Sequence, residues 1–215
     1  MLGIINHIPT GVKNIQKRNG FTLIEIVMVI IILCLLFLWL WEEGGYGPAT
    51  EIRKLKRFEN EIDGITAAIY QYYDRYHVLP GDVNSDGKIT GTFNSEIEGD
   101  ESRLCWLHLR RTGFVGGDPN DQQQPLNPFG GEIDIATDIG GKIDFEKDET
   151  SPFSALFIGF SKVPGKYAVM VEQKRDDNNP NTGWIRAYKL TFFGETTLVT
   201  AYSTFDSYNL YVVFN

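Results

Sequence analysis

The chain has 215 residues and a formal net charge of −8 at pH 7. An acidic chain lacks the basic surface that general nucleic-acid binding requires, so we expect no nucleic-acid partner. Its two cysteines, Cys34 and Cys105, fall in different predicted segments, and we expect no disulfide between them within one subunit.

The first forty residues combine a basic segment with an apolar one. Residues 1–20 contain no acidic side chain and end in Gly20; their cations are Lys13, Lys17 and Arg18. In residues 21–41 only Thr22 and Glu25 are polar. A helix of this length rises about 30 Å, the thickness of a bilayer core. We therefore predict a transmembrane helix over 21–41, with residues 1–20 in the cytoplasm because cations favour that side.

A secretory signal and a plain single-pass anchor account less well for this segment. A secretory signal has a shorter apolar region and a small-residue cleavage site after it, and no such site follows Trp41. A plain anchor does not account for Glu25, because a carboxylate within an apolar membrane segment is costly. It also does not require Gly20.

The run Gly20-Phe21-Thr22-Leu23-Ile24-Glu25 resembles the processing motif of type IV pilins and of the pseudopilins of type II secretion. The resemblance implies that a prepilin peptidase cleaves between Gly20 and Phe21 and methylates the new amine of Phe21. It also implies that Glu25, the fifth residue of the mature chain, acts in assembly together with Phe21.

The same resemblance implies a structural role without catalysis. The expected protein is a subunit of a type IV pilus-like or pseudopilus filament, inserted once in the bacterial inner membrane with its head in the periplasm. Its expected partners are copies of itself, other pilins or pseudopilins, the peptidase and the inner-membrane assembly platform. The alternative is a membrane-anchored periplasmic binding module that does not polymerise.

Beyond the apolar segment, the sequence predicts an extracytoplasmic head over residues 50–215. Residues 42–49 contain three glycines and Pro48, and they predict a helix break. Apolar side chains then recur every three or four residues, which predicts an amphipathic helix over 50–78. A shorter helix is predicted over 101–112 with Gly113 at its C-terminal cap, and residues 116–152 are predicted to form loops.

Strand patterns dominate the last third of the chain. Runs of β-branched and aromatic residues predict strands at 155–160, 167–172, 184–193, 196–203 and 209–214. The polar run 176–181 is interpreted as a hairpin tip. The predicted fold class is α+β and type IV pilin-like: a long N-terminal helix, apolar in its first half and amphipathic in its second, packed on an antiparallel sheet of four or five strands.

A second motif lies between the long helix and the short one. Asp82, Asn84 and Asp86 alternate and Gly87 follows, which matches the first half of a calcium-binding loop. The predicted calcium ligands are Asp82, Asn84, Asp86, the Lys88 carbonyl and Thr90. Ile89 is expected to anchor the loop in the core.

The loop departs from the calcium pattern at its twelfth position. Phe93 stands where a bidentate acid belongs, and Glu96, Glu98 or Asp100 could substitute for it in a longer loop. The alternative is an Asx-rich turn without metal. His77 and His108 lack a companion at metal-ligand spacing and are interpreted as satisfied or solvent-facing histidines.

Overall fold

The computed structural model describes residues 21–44, 48–91, 93, 95–137, 153, 156–190 and 196–214. The chain divides into two compact units, residues 1–47 and residues 48–215. The predicted cytoplasmic leader 1–20, with the cleavage site after Gly20, lies outside the described residues.

The described part of the first unit is one helix, α1, Leu23–Gly44. The apolar side chains described along it are exposed all round, from 82% at Leu23 to 43% at Val27. Within the described residues, no helix is both long enough and apolar enough to cross a membrane. The helix continues through part of the predicted break at 42–49, and the transmembrane assignment of 21–41 stays a prediction.

The second unit begins with α2, Pro48–Tyr76, close to the predicted amphipathic helix 50–78. Pro48 suits the first helical position, where its missing N–H costs nothing. The apolar side chains that recur every three or four residues lie on one face of α2, and this face is buried at Phe58, Ile62 and Ile69. Towards the helix ends this face opens to solvent, with Ile52 65% exposed.

Shorter helices and one sheet make up the rest of this unit. These elements are α3 Glu101–Arg111, β1 Ile133–Ala136, β2 Phe157–Pro164, α4 Gly165–Arg175, β3 Ile185–Leu190, β4 Thr196–Leu198 and β5 Ser207–Val213. The five strands form one antiparallel sheet in the order β1-β2-β5-β3-β4. The α+β class and the antiparallel sheet are therefore confirmed.

The two faces of the sheet bury different side chains. Ile158 and Phe160 of β2 join the main core with α2, where Phe58 meets Phe160 edge to face at a centroid distance of 4.9 Å. Phe157 of β2 and Tyr211 of β5 lie in a second, smaller cluster. Alternation along β2 thus assigns its side chains to two separate apolar clusters, as the period of a strand requires.

Three predictions about the head are wrong. The predicted strand 167–172 is part of α4, because its buried residues recur at the helical period: Gly165, Tyr167, Ala168, Val171 and Glu172. The polar run 176–181 therefore connects a helix to β3 and is not a hairpin tip. The predicted loop 116–152 contains β1, which gains its hydrogen bonds from β2 through the pair Ile133 and Phe160.

Candidate functional site

The turn that precedes the predicted calcium loop is fixed by α3. Gly81 has φ +93, and a Cβ there would lie 2.3 Å from the carbonyl oxygen of Glu101. The Gly81 N–H donates to Nδ1 of His108 at 3.0 Å, so this nitrogen must be unprotonated. His108 is thus a satisfied histidine that shapes the turn. His77, with φ 57, lies exposed after the end of α2.

The three side chains of the calcium motif accept hydrogen bonds from the loop's own backbone. Asp82 accepts from the N–H groups of Gly87 at 2.9 Å and Asp86 at 3.3 Å. Asn84 Oδ1 accepts from Asp86 N–H at 2.9 Å, and Asp86 Oδ1 accepts from Lys88 N–H at 2.9 Å. Repeated Asx turns of this kind order the loop locally and direct several oxygens towards its own backbone.

The end of the loop is anchored as the sequence predicts, by an apolar side chain. Ile89 is fully buried, and its carbonyl accepts from the Thr137 N–H at 3.0 Å. Phe93, at the twelfth position, offers no side-chain oxygen. Its ring packs against the ring of Tyr211, with 5.1 Å between the ring centroids. Asp100, one of the proposed substitutes, accepts a short hydrogen bond from Ser95.

A different acid, Glu101, reaches the loop. It is the first residue of α3 and is 6% exposed. Its Oε2 accepts from the Thr90 N–H at 2.7 Å and from the Thr90 hydroxyl, and its Oε1 accepts from the Val83 N–H at 3.3 Å. Glu101 thus spans both ends of the loop. The sequence contained one signal for it, an acid opening the predicted helix directly after the loop.

A group of acidic side chains also lies outside this loop. Within the described residues, one group of three metal-ligating side chains has donor atoms that all lie within 4.8 Å of one another. That group is Glu172, Asp176 and Asp177, at the end of α4. Sequence reasoning missed it because Glu172 was assigned to a strand, which separates its side chain from the polar run that follows.

At the other end of the described chain, Thr22 and Glu25 form a capping box. The Thr22 N–H donates to Glu25 Oε2 at 2.8 Å, and the Thr22 hydroxyl donates to the same oxygen at 2.9 Å. The Glu25 N–H lies 3.4 Å from the Thr22 hydroxyl oxygen, which completes the reciprocal pattern. The carboxylate is therefore held beside the first turn of α1, where the helix dipole favours negative charge.

The surroundings of Glu25 are apolar and exposed. Phe21 and Leu23 are each 82% exposed, and Ile24 is 70% exposed. Exposed apolar surface of this extent is typical of a helix that is covered by lipid or by other chains.

Comparison with known families supports the processing motif. Residues 15–41 match the model of the prokaryotic N-terminal methylation motif. The chain carries a prepilin-type methylation motif. The match is consistent with the type IV pilin and pseudopilin family, as the resemblance predicted, and that family is structural rather than enzymatic. No curated protein and no solved structure matched the chain.

The methylation motif extends on both sides of the capping box. It covers the last residues of the basic segment, the predicted scissile bond between Gly20 and Phe21, and the apolar residues of α1 up to Trp41. Thr22 and Glu25 lie inside it, so the geometry at the start of α1 belongs to the matched motif. The second compact unit, residues 48–215, lies outside the match.

Proposed function

We propose that this protein is a structural subunit of a type IV pilus-like or type II secretion pseudopilus filament. A prepilin peptidase cleaves it between Gly20 and Phe21, and α1 then polymerises with the same helix of neighbouring subunits. The observation that carries the proposal is the methylation motif over residues 15–41, whose apolar part lies in the exposed helix α1.

The chemistry of assembly follows from Glu25. Cleavage exposes an amine at Phe21, which becomes the first residue of the mature chain. When apolar helices associate away from water, an unpaired carboxylate costs several kcal/mol, so it requires a partner. The Phe21 amine of a neighbouring subunit supplies that partner, and a shifted register would leave both charges uncompensated.

The capping box prepares Glu25 for this contact. Both Thr22 donors end on Oε2, so Oε1 is the oxygen that a neighbouring amine would approach. The carboxylate is thereby held in one orientation before assembly, which lowers the entropy cost of pairing. After processing, the remaining chain is also more acidic, because the three cations of residues 1–20 are gone.

Processing is tested by intact mass and N-terminal sequencing of the protein from its native host. We expect a mature chain that starts at N-methylated Phe21. A chain that keeps Met1 would mean that the segment serves as a simple anchor, and the binding-module alternative would replace the filament.

Assembly is tested by Glu25→Leu and Glu25→Ala in the full chain. We expect normal membrane insertion and impaired filament formation, seen as loss of sheared filaments in electron micrographs. Thr22→Val separates the carboxylate from its cap: it removes the hydroxyl of the capping box and keeps Glu25, so we expect a smaller loss of filaments than in either Glu25 variant. Normal filament yield and length from both Glu25 variants would overturn the assembly role.

We propose in addition that the loop after α2 binds calcium and that the ion has a structural role. Its donors are hard oxygens from Asp82, Asn84 and Asp86, with the Lys88 carbonyl and Thr90, which is the chemistry that calcium requires. Glu101 takes the place of the missing twelfth-position acid. Its two oxygens accept from the Val83 and Thr90 N–H groups, and this contact with both ends of the loop supports that role.

The loop site is tested by thermal melting of the full chain in detergent with and without millimolar calcium. Asp86→Asn should reduce the calcium-dependent rise in melting temperature, because it removes one charged ligand and keeps the size of the side chain. Equal calcium shifts in Asp86→Asn and in the unaltered protein would reject the loop as the site.

A further inference from the structure

The C-terminal end of α4 carries a buried carboxylate in an unusual position. Glu172 is fully buried, and its Oε2 accepts from the Tyr202 hydroxyl at 3.0 Å. Its Oε1 is buried and has no hydrogen-bond partner among the described residues. A buried oxygen of this kind is normally satisfied, because leaving it without a partner costs about 1 to 3 kcal/mol.

Two more carboxylates surround this side chain. One donor oxygen from each of Glu172, Asp176 and Asp177 lies within 4.8 Å of the other two. Asp176 lies one helical turn after Glu172, and its N–H donates to the Glu172 carbonyl at 2.9 Å. Like charges at this separation repel one another, most strongly at the fully buried Glu172, so the group favours a counter-charge.

Within the described part of the chain, Arg186 is the cation whose charge favours ionised Glu172. Arg186, on β3, interacts favourably with the charged forms of Glu172 and Asp177. Three carboxylates around one guanidinium leave an excess of negative charge. A bound cation would relieve this excess, and it would give the buried Oε1 of Glu172 a partner if that oxygen is the one within the cluster.

Backbone groups of the α4–β3 connection and of β3 fix the positions of Asp176 and Asp177. Asp176 accepts from the Ile185 N–H of β3 at 2.6 Å, which ties the end of α4 to the sheet. Gly183, with φ +73, passes so close that a Cβ would lie 2.1 Å from Asp176 Oδ1. Asp177 accepts from the Asn179 N–H at 2.9 Å. The cluster is therefore positioned by the fold and does not result from side chains meeting by chance in a free loop.

We propose that Glu172, Asp176 and Asp177 bind one divalent cation, calcium, independently of the loop after α2. All three donors are carboxylate oxygens, which favour hard cations over the softer transition metals. Calcium accepts irregular geometry and mixed carboxylate and carbonyl ligands, whereas magnesium demands near-ideal octahedral geometry. The ion would join the C-terminal end of α4 to the α4–β3 connection and β3.

Terbium, which takes calcium sites, provides a direct probe with the full chain in detergent. Tyr202 contacts Glu172, so excitation of tyrosine should sensitise terbium bound at this site, and added calcium should quench the signal. Asp86→Asn is present in every sample to weaken the loop site. In this background we expect Glu172→Gln to reduce the apparent calcium affinity roughly tenfold or more, because one of three charged ligands is lost.

Two further variants keep the test falsifiable if Glu172→Gln misfolds. Asp177 is exposed, so Asp177→Asn should fold normally and still lower the calcium affinity. Asp118→Asn is the matched control, because Asp118 accepts an equivalent loop hydrogen bond from the Asn120 N–H at 2.9 Å and lies outside the cluster. Unchanged calcium affinity in Asp177→Asn, or an equal loss in Asp118→Asn, would overturn the proposal.

The loop site and this site can fail separately. If Asp86→Asn alone abolishes calcium binding, and adding Glu172→Gln to it changes nothing further, then all binding occurs in the loop. That result would reject the second site. A calcium effect that survives Asp86→Asn and disappears with Asp177→Asn would support the second site. Neither outcome bears on filament assembly, which rests on Glu25.

Discussion

Glu101 at the start of α3 accepts two hydrogen bonds from Thr90, one from its N–H at 2.7 Å and one from its hydroxyl. The contact joins a helix to the end of a long polar loop across eleven positions of sequence. A carboxylate acceptor makes such bonds charge-assisted, and the burial of Glu101 shields them from water. They order the end of the loop through contacts within the protein itself.

This contact predicts the effect of Glu101→Gln. The amide keeps the shape of the side chain and loses the charge, and one of its two polar ends can no longer accept. We expect the free energy of unfolding to fall by about 2 kcal/mol, in line with charge-assisted bonds to a buried group. Chemical denaturation of the full chain in detergent, without calcium, measures this change in the free energy of unfolding. Glu98→Gln, at an exposed position, should change the value little, and an equal loss in both would contradict the prediction.

A second prediction concerns the close approach of Phe93 to β2. A Cβ on Gly159 would lie 2.1 Å from the Phe93 ring, which is itself packed on Tyr211. Gly159→Ala should therefore destabilise the fold by roughly 1 to 3 kcal/mol through overpacking. Gly116→Ala is the control, because no atom lies within 4 Å of the Cβ it would add.

Combining Gly159→Ala with Phe93→Leu tests whether the clash is the cause. The shorter side chain makes room for the new methyl group, so the double variant should be less destabilised than the sum of the two single variants. Residues in contact typically deviate from additivity by about 0.5 kcal/mol or more. Additive losses would mean that Phe93 does not cover Gly159 in solution.

The elements that the sequence predicted correctly are those with a local cause. The apolar period of α2 and the length of α3 with Gly113 after it are visible in the residues themselves. The errors came where a distant contact decides. Residues 167–172 contain β-branched side chains, yet a buried face at the helical period makes them a helix.

The candidate sites divide in the same way. Glu25 and its cap lie within four residues, so the motif could be recognised without a structure. Glu101 belongs to the loop only because α3 brings it back to Val83 and Thr90. The acidic cluster requires the helical turn from Glu172 to Asp176 and therefore could not be seen once that segment was assigned to a strand.

A third prediction concerns the ion pair between α4 and α2. Arg175 makes a bidentate contact with Asp63, at 2.6 and 2.7 Å. The Asp63 side chain is 63% exposed, so solvent screens the pair and we expect Arg175→Lys to cost at most about 1 kcal/mol. The loss should shrink in high salt. Urea unfolding at low and at molar sodium chloride measures it, and a loss well above that limit would show a role for Arg175 beyond the ion pair.

The last prediction is a pH dependence centred on His108. Burial and the nearby charge of Arg111 lower the pKa of His108 below its usual 6.5, and its Nδ1 must stay unprotonated to accept from the Gly81 N–H. Between the lowered pKa of the folded protein and the usual 6.5 of the unfolded chain, the unfolded chain binds more protons than the folded one. The contribution of His108 to the free energy of unfolding is therefore complete above pH 6.5. It is lost as the pH falls through 6.5 towards the lower folded pKa, by at most about 1.4 kcal/mol per pH unit.

His108→Gln, which does not titrate, removes this pH-dependent contribution. The melting temperatures of the two proteins, measured in steps from about neutral pH to about one and a half units below the usual histidine pKa, should therefore converge as the pH falls. The convergence is expected because only the unaltered protein loses stability through this group. A constant difference in melting temperature across the range would show that the protonation of His108 is not coupled to folding.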